Sequence, residues 1–169
     1  MSLIYLVGPI GGQTWEQATA WRYSVASLLQ PLECRSPLRP MNGVDISLST
    51  HLDKSGLLQG EDDEKIPFAK LFDRDYGDVD AADALFINFI GTMRKSIGSV
   101  MEISRGFKRG IPMVMAMEPG NINEDVFLEE HFKHPSQELN CRCHTLKAAV
   151  NSMRSIFNLP AYSLGEGDE

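Results

Sequence analysis

A chain of 169 residues with 43% apolar residues has the length and composition of one globular domain with an ordinary core. A formal charge of −7 argues against DNA or another polyanion as the main partner, while leaving room for a small phosphorylated ligand held by a few local cations and N–H groups. No apolar run approaches the ~20 residues that span a bilayer, no basic and apolar leader opens the chain, and three cysteines without framework spacing point to a reducing, cytoplasmic setting.

Leu3 to Val7 reads as the first strand, followed by Gly8, Pro9, Ile10, Gly11 and Gly12. A strand running into a glycine turn and then a helix is either a plain tight turn or a cradle where backbone approaches a ligand closely. It is neither the dinucleotide G-x-G-x-x-G nor a Walker loop. The next helix runs from Gln13-Thr14 to about Gln30, with Trp15, Ala18, Trp21, Arg22, Val25, Leu28 and Leu29 on its mainly apolar face. Leu32 to Arg35 is a short second strand, broken by Ser36-Pro37-Leu38-Arg39-Pro40. Arg39, just beyond a strand end, is either a surface arginine or a contact for a substrate phosphate.

From there to Glu64 the chain is polar, with Gly43, Gly56 and Gly60 and the acidic run Glu61-Asp62-Asp63-Glu64. A loop this long is usually a functional lid or disordered. The acidic run reads as a solvated face or a helix N-terminus, with no metal assigned to it. Ile66 to Phe72 is predicted helical, and Asp73 to Ala82 a second helix or turn. Its four aspartates lack the EF-hand pattern, so capping and solvation account for most of them.

Two uncharged runs, Ala84 to Ile90 and Ile111 to Met117, read as buried parallel strands. Between them Ile97, Met101, Ser104 and Phe107 fall at helical spacing, with Lys108 and Arg109 near the end and Gly110 as a stop. This is a strand-helix-strand unit with a right-handed crossover. In open α/β sheets ligands bind outside the carboxyl ends of the strands. The loop Gly91 to Ile97 lies there, carrying Arg94, Lys95 and Ser96 into a helix N-terminus at Gly98 and Ser99, where N–H groups and the helix dipole favour an anion. Glu102, one turn in, leans toward the same crevice, and Asp75 can approach from the neighbouring segment.

Glu118 to Asn123 forms the loop after the fourth strand, and Glu124 to Phe132 the next helix, flanked by two surface histidines, His131 and His134. Asn140 to His144 reads as the fifth strand, with Cys141 and Cys143 on one face and Arg142 and His144 on the other. No second pair at zinc spacing exists, so the thiols read as buried and structural, and neither a metal nor another cofactor is expected. Thr145 caps a last helix with Leu146, Ala149, Val150, Met153, Ile156 and Phe157 on its apolar side, ended by Asn158 and Pro160. The expected organisation is one domain over residues 1–160 and an acidic, frayed tail over 161–169. Five apolar segments alternating with helical ones predict an α/β domain with helices on both faces of a parallel sheet.

Several segments together resemble the nucleoside 2-deoxyribosyltransferase family and its relatives, the 2'-deoxynucleoside 5'-phosphate N-hydrolases, over roughly residues 3–150. They are Ile4-Tyr5-Leu6-Val7-Gly8-Pro9, Asp75 in Arg74-Asp75, Asp83 before a buried strand, Ser96-Ile97-Gly98-Ser99-Val100-Met101-Glu102, and Gly110-Ile111-Pro112-Met113-Val114-Met115. The resemblance implies a flavodoxin-like, Rossmann-like three-layer sandwich with five parallel strands in the order 2-1-3-4-5. It implies a homodimer with shared active sites, and cleavage of the N-glycosidic bond of a nucleoside or nucleotide. Glu102 would be the nucleophile or cation stabiliser, Asp75 the acid/base near the nucleobase, and Tyr5 the residue orienting Glu102. Gly8, Pro9, Ile10, Arg39, Asn88, Ser96, Gly98, Ser99 and Asn121 would bind substrate, with Asn121 matching a residue that reaches into the partner subunit's site.

One departure from the transferases is informative. They usually carry an aspartate six positions before the glutamate, where it binds the sugar 5'-hydroxyl, and Ser96 stands there instead, as in the monophosphate hydrolases. A carboxylate would repel a 5'-phosphate, whereas a serine beside a helix N-terminus would accept it. Ser96 can equally be a helix N-cap. The expectation is therefore hydrolysis or transfer on a (2'-deoxy)nucleoside 5'-monophosphate or nucleoside. The alternatives are a transferase acting only on unphosphorylated nucleosides, and a non-catalytic nucleotide-binding module on the same fold.

Overall fold

A computed structural model describes residues 1–11, 13–39, 57–59, 65–136 and 138–163. The acidic run at 61–64, most of the polar segment from 40 onward, Gly12 and the tail from 164 lie outside these residues. Twelve elements follow in chain order: β1 (Leu3–Val7), α1 (Trp15–Leu28), β2 (Glu33–Arg35), β3 (Leu57–Gln59), β4 (Lys65–Pro67), α2 (Phe68–Ala81), β5 (Ala84–Asn88), α3 (Ile97–Arg109), β6 (Met113–Ala116), α4 (Val126–Lys133), β7 (Cys141–Cys143) and α5 (Leu146–Ile156). The main sheet is β2-β1-β5-β6-β7 and every pairing in it is parallel. Counting only its own strands, the order is 2-1-3-4-5, the predicted flavodoxin-like layout. No helix among the described residues is long and apolar enough to cross a membrane.

The sheet is buried on both faces, so its strands are apolar throughout rather than alternating. All five residues of β1 and of β5 are buried. Successive side chains still go to opposite sides. Tyr5, Val7, Leu85, Ile87 and Met115 join α2, α3 and α4 in one core through Val79, Ile103 and Leu128. Ile4, Leu6, Phe86 and Val114 join α1 and α5 in the other through Val25, Leu29, Val150 and Met153. Asp83 ties the edges of β1 and β5 together: its carboxylate accepts from Leu3 N at 2.7 Å, and its N–H donates to Leu3 O at 2.8 Å.

The helix caps follow the sequence. Thr14 closes a capping box with Gln17, Asp125 accepts from Phe127 N, and Thr145 accepts from Ala148 N. Gly110 ends α3 in the left-handed conformation at φ 70°.

Three expectations are corrected. Residues 66–82 are not two helical pieces. Lys65–Pro67 is a strand paired antiparallel with Leu57–Gln59, and one helix then runs unbroken from Phe68 to Ala81. Pro67 closes the strand, and Gly77, with open space around it, sits inside the helix without ending it. Secondly, Ile97 and Met101 do not face the core. The buried line of α3 is Ser99, Ile103 and Gly106. Ile103 fills the core between two small residues, and at Gly106 the reason is distance: a Cβ there would come within 2.4 Å of Leu85 Cδ1. Thirdly, Cys141 and Cys143 are only half-buried, at the edge of the core rather than inside it.

Candidate active site

Tyr5 sits at the centre of β1 with no exposed surface. Its side chain crosses to α3, where its hydroxyl donates to Glu102 Oε1 at 3.0 Å. Residues 97 positions apart are thus joined by one hydrogen bond at the carboxyl end of the sheet. α2 closes the third side. Asp75 faces inward, and its Oδ1 accepts from Arg74 Nη2 at 2.7 Å and Nε at 3.0 Å. Asp75 and Arg74 side chains are 16% and 13% exposed, so this is a largely desolvated pair.

The two carboxyl groups are displaced from their ordinary range, in an ordered way. Burial pushes Asp75 up to about 6, opposed by Arg74. Burial pushes Glu102 up to about 7, opposed first by the Tyr5 hydrogen bond, while the Asp75 charge raises it further and Arg22 lowers it. Asp75 ionises first, and the charge it acquires then holds Glu102 neutral longer. Near neutrality the two carboxyls share about one proton. Burial, followed by the Glu102 charge, also raises the Tyr5 phenol, which stays a donor.

The turn after β1 lies at the same end of the sheet. Gly8 is wedged: a Cβ there would lie 2.8 Å from Trp21 Cζ2 and 2.9 Å from Asn88 O. Glycine is therefore required by space, whatever the turn binds. Pro9 is buried behind it, Ile10 is half-buried, and Gln13 N donates to Ile10 O at 3.2 Å. Asn88 ends β5 buried, its Oδ1 accepting from Ile90 N at 3.0 Å.

The loop 91–96 is held from behind by amides. Asn121 Nδ2 donates to Phe89 O at 2.7 Å and Glu118 Oε1 at 3.0 Å, and its Oδ1 accepts from Asn123 N and from Thr92 Oγ1. Asn123 Nδ2 donates to Thr92 Oγ1 at 2.7 Å, and its Oδ1 accepts from Ser96 N at 3.0 Å. Both asparagines are buried. Asn121 is thus placed as a support within its own chain, with both ends of its amide in use. Ser96 precedes α3 without a side-chain capping bond, and its Oγ lies 2.8 Å from Ser99 Oγ. Gly98 is exposed, Ser99 buried, and the side chains of Arg94 and Lys95 stand exposed with no partner among the described residues.

Arg39 is placed differently. Its Nη1 pairs with the buried carboxylate of Asp78, which also lies 3.5 Å from Arg35 Nη1. Arg74 holds the same segment by donating to Pro37 O and, at 3.1 Å, to Arg39 O. Arg39 therefore belongs to the frame behind Asp75, not to the group beside Ser96.

Four residues of this frame were not singled out from the sequence: Arg22, Arg74, Asp78 and Asn123. Arg22 had a signal, being the only cation on the mainly apolar face of its helix. Asn123 had another, since Asn121-Ile122-Asn123 places two amides on one side of a loop. Three buried side-chain polar atoms of the described residues lack a hydrogen-bond partner: Gln13 Oε1, Arg22 Nε and Glu118 Oε2. All three flank the turns beyond β1 and β6, the crevice end of the sheet. A separate cleft of about 460 Å³ beside α4, lined by Glu124, Asp125, Glu129 and Arg142 among others, contains none of the expected site residues.

No protein-family model and no curated protein matches the chain. Among solved structures it is similar to a conserved protein from Enterococcus faecalis V583, with a TM-score of 0.57 and 17% identity over 92% of this chain and 99% of that one. Likeness at that identity concerns the fold.

Proposed function

We propose that this protein cleaves the N-glycosidic bond of a (2'-deoxy)nucleoside 5'-monophosphate or nucleoside, passing the sugar to water or to another nucleobase. The observation that carries the reading is the pair of half-buried carboxyls, Glu102 oriented by Tyr5 at 3.0 Å and Asp75 held by Arg74, converging from α3 and α2 on one strand end. Such a bond breaks through an oxocarbenium-like state, which needs a carboxylate beside the anomeric carbon and a proton for the departing base. Two carboxyls sharing one proton supply both in the form that leaves the proton on Asp75 and Glu102 ionised, the less populated of the two arrangements because Glu102 is raised further. Glu102 attacks the anomeric carbon and forms a glycosyl ester, and Asp75 protonates the base as it leaves. Asp75 then takes the proton from water or an acceptor base that attacks the ester, restoring Glu102.

Ser96, the first-turn N–H groups of α3 and the free cations Arg94 and Lys95 support a 5'-phosphate at the loop end of the crevice. A homodimer is part of the same reading. The outer face of α3 and the loop before it support it, because Ile97 (76% exposed), Val100 and Met101 on the helix and Met93 (86%) on the loop are exposed apolar side chains beside the site.

The test is incubation with a panel of nucleosides and their 5'-monophosphates, with and without an added base, followed by chromatography. Release of free base that is abolished by Glu102→Gln is expected, and base exchange in the second arm marks transfer. No base released from any member would refute the proposal. Light scattering at micromolar concentration checks the dimer, and a monomer with full activity would refute that part.

A further inference from the structure

The charge that the Tyr5–Glu102 pair faces from behind comes from α1. Arg22 lies on the buried face of that helix, between Ala18 and Val25, and is 2% exposed. Its Nη2 donates to Gly8 O at 2.8 Å and its Nη1 to Ala18 O. The guanidinium stacks on Trp21, 4.4 Å from the ring centroid. Nε is buried without a partner, and no carboxylate pairs with the side chain among the described residues.

A buried cation without a counter-ion is expensive, and an apolar residue would serve the packing of α1 better. What distinguishes the position is its place in the fold. Gly8 is the residue that follows β1, three beyond Tyr5 and ~10 Å from it at the usual strand rise. The guanidinium therefore sits under the carboxyl end of β1, on the far side of the strand from Glu102, across protein rather than solvent.

We infer that Arg22 is a positioning residue of the site: it pins the Gly8–Ile10 turn through the Gly8 carbonyl and holds an uncompensated positive charge behind the Tyr5–Glu102 pair, favouring the ionised Glu102. The value of that ionised form for catalysis rests on the proposed glycosidic reaction; the placement and the charge do not.

The electrostatics of the neighbourhood agree. Burial lowers Arg22 to about 10, so it remains a cation at neutrality, and the charges of Tyr5, Glu102 and Asp75 oppose that lowering. Glu102 is faced by Tyr5 from β1, Asp75 from α2 and Arg22 from α1, and Arg22 is the cation among them. Arg74, Asp78 and Arg39 act one step back, through Asp75. The guanidinium thus works against burial and Asp75, both of which favour neutral Glu102.

The test is the titration of Glu102 itself. The carboxyl carbon of uniformly ¹³C-glutamate-labelled protein is followed by NMR from pH 5 to 9 and assigned by its absence in Glu102→Gln. Wild type is compared with Arg22→Lys, which keeps the charge, and Arg22→Gln, which does not. The midpoint is expected to rise by about one pH unit in Arg22→Gln and to stay close to wild type in Arg22→Lys. Packing alone predicts no such split, so equal midpoints in wild type and Arg22→Gln overturn the inference.

If Arg22→Gln does not fold, the wild-type protein answers the question from the other side. The Arg22 Nε–H resonance should shift with the Glu102 midpoint and lose that inflection in Glu102→Gln. A resonance blind to Glu102 ionisation overturns the inference equally. Neither readout needs a substrate. A protein that cleaves no nucleotide yet shows the split would refute the proposed function and leave Arg22 where it stands.

Discussion

Replacing Glu102 by glutamine should make the protein more stable, and only at high pH. Burial pushes the carboxyl up to about 7 in the folded chain, from 4.5 for a free glutamic acid. Below pH 4.5 the group is protonated in both folded and unfolded chains, and it contributes no pH dependence. Between 4.5 and 7 the unfolded chain releases the proton and the folded chain does not, so wild-type stability falls as pH rises. Above 7 both are ionised and the full penalty is in place. At about 1.4 kcal/mol per pH unit the displacement corresponds to about 3 kcal/mol, nearer 2 once partial solvent screening is allowed for.

Glutamine keeps an oxygen for the Tyr5 hydroxyl and carries no charge. Asp75 is raised in the same sense, but in both proteins, so it drops out of the difference. Urea unfolding at a series of pH values measures the effect directly, since a domain of this size should unfold in two states. The variant should match wild type near pH 4 and exceed it by about 2–3 kcal/mol above pH 8. A variant equal to or weaker than wild type at pH 8.5 would mean that the carboxylate is not desolvated, and the proposed division of labour between Glu102 and Asp75 would lose its basis. The same substitution should lower turnover at least ~10²-fold on the proposed reaction, so stability and function would move in opposite directions.

Tyr5→Phe removes the donor that lowers the Glu102 pKa, so the Glu102 midpoint should move upward, with a stability loss of about 1 kcal/mol in acid, read by NMR titration and urea unfolding. An unmoved midpoint would refute the role of Tyr5. Gly8→Ala places a Cβ 2.8 Å from Trp21 and 2.9 Å from a backbone oxygen, and should lower unfolding free energy by about 1–3 kcal/mol; an unchanged urea midpoint would show that the turn has room. Ser96→Asp sets a negative charge at the mouth of α3. It should reduce kcat/KM on monophosphates by an order of magnitude or more relative to nucleosides, each charge-assisted contact contributing roughly 1.5–3 kcal/mol. An unchanged ratio would remove Ser96 from phosphate binding.

The sheet was legible because a strand covered on both faces has to be apolar throughout. Leu3–Val7 and Ala84–Asn88 announce themselves by composition alone. The inner face of α3 was not legible in that way. Counting apolar residues selects Ile97 and Met101, but the buried line runs through Ser99, Ile103 and Gly106, and its closest approach to β5 is at Gly106, which carries no hydrophobic signal. The pair β3–β4 was missed because two three-residue strands inside a polar stretch are too short to show a period. The site residues lie at positions 5, 75 and 102, on three different elements. Their convergence followed from the rule that strand ends face the crevice and from the family resemblance, not from spacing. Arg22 and Asn123 escaped because each acts through a partner that only the folded chain brings near.

The two walls of the crevice differ in how their charges are spent. On the α2 side the arginines are committed: Arg74 to Asp75, Arg39 and Arg35 to Asp78. A phosphate there would compete with carboxylates already in contact, and would meet the Asp75 charge as well. On the α3 side the support is an amide network of Asn121 and Asn123 behind Thr92 and Ser96, with the Glu118 carboxylate accepting from Asn121 Nδ2 and Gly91 N at the end away from Ser96. Arg94 and Lys95 stand over it without partners among the described residues. At the Ser96 end the partners are an amide and a hydroxyl, and the helix dipole adds to the attraction for an anion. On the proposed function an anionic ligand would therefore be drawn toward the mouth of α3, with its other end toward Asp75. On the proposed reaction this is the required polarity: the 5'-phosphate lies at Ser96, the anomeric carbon beside Glu102, and the base reaches the carboxyl that must give it a proton.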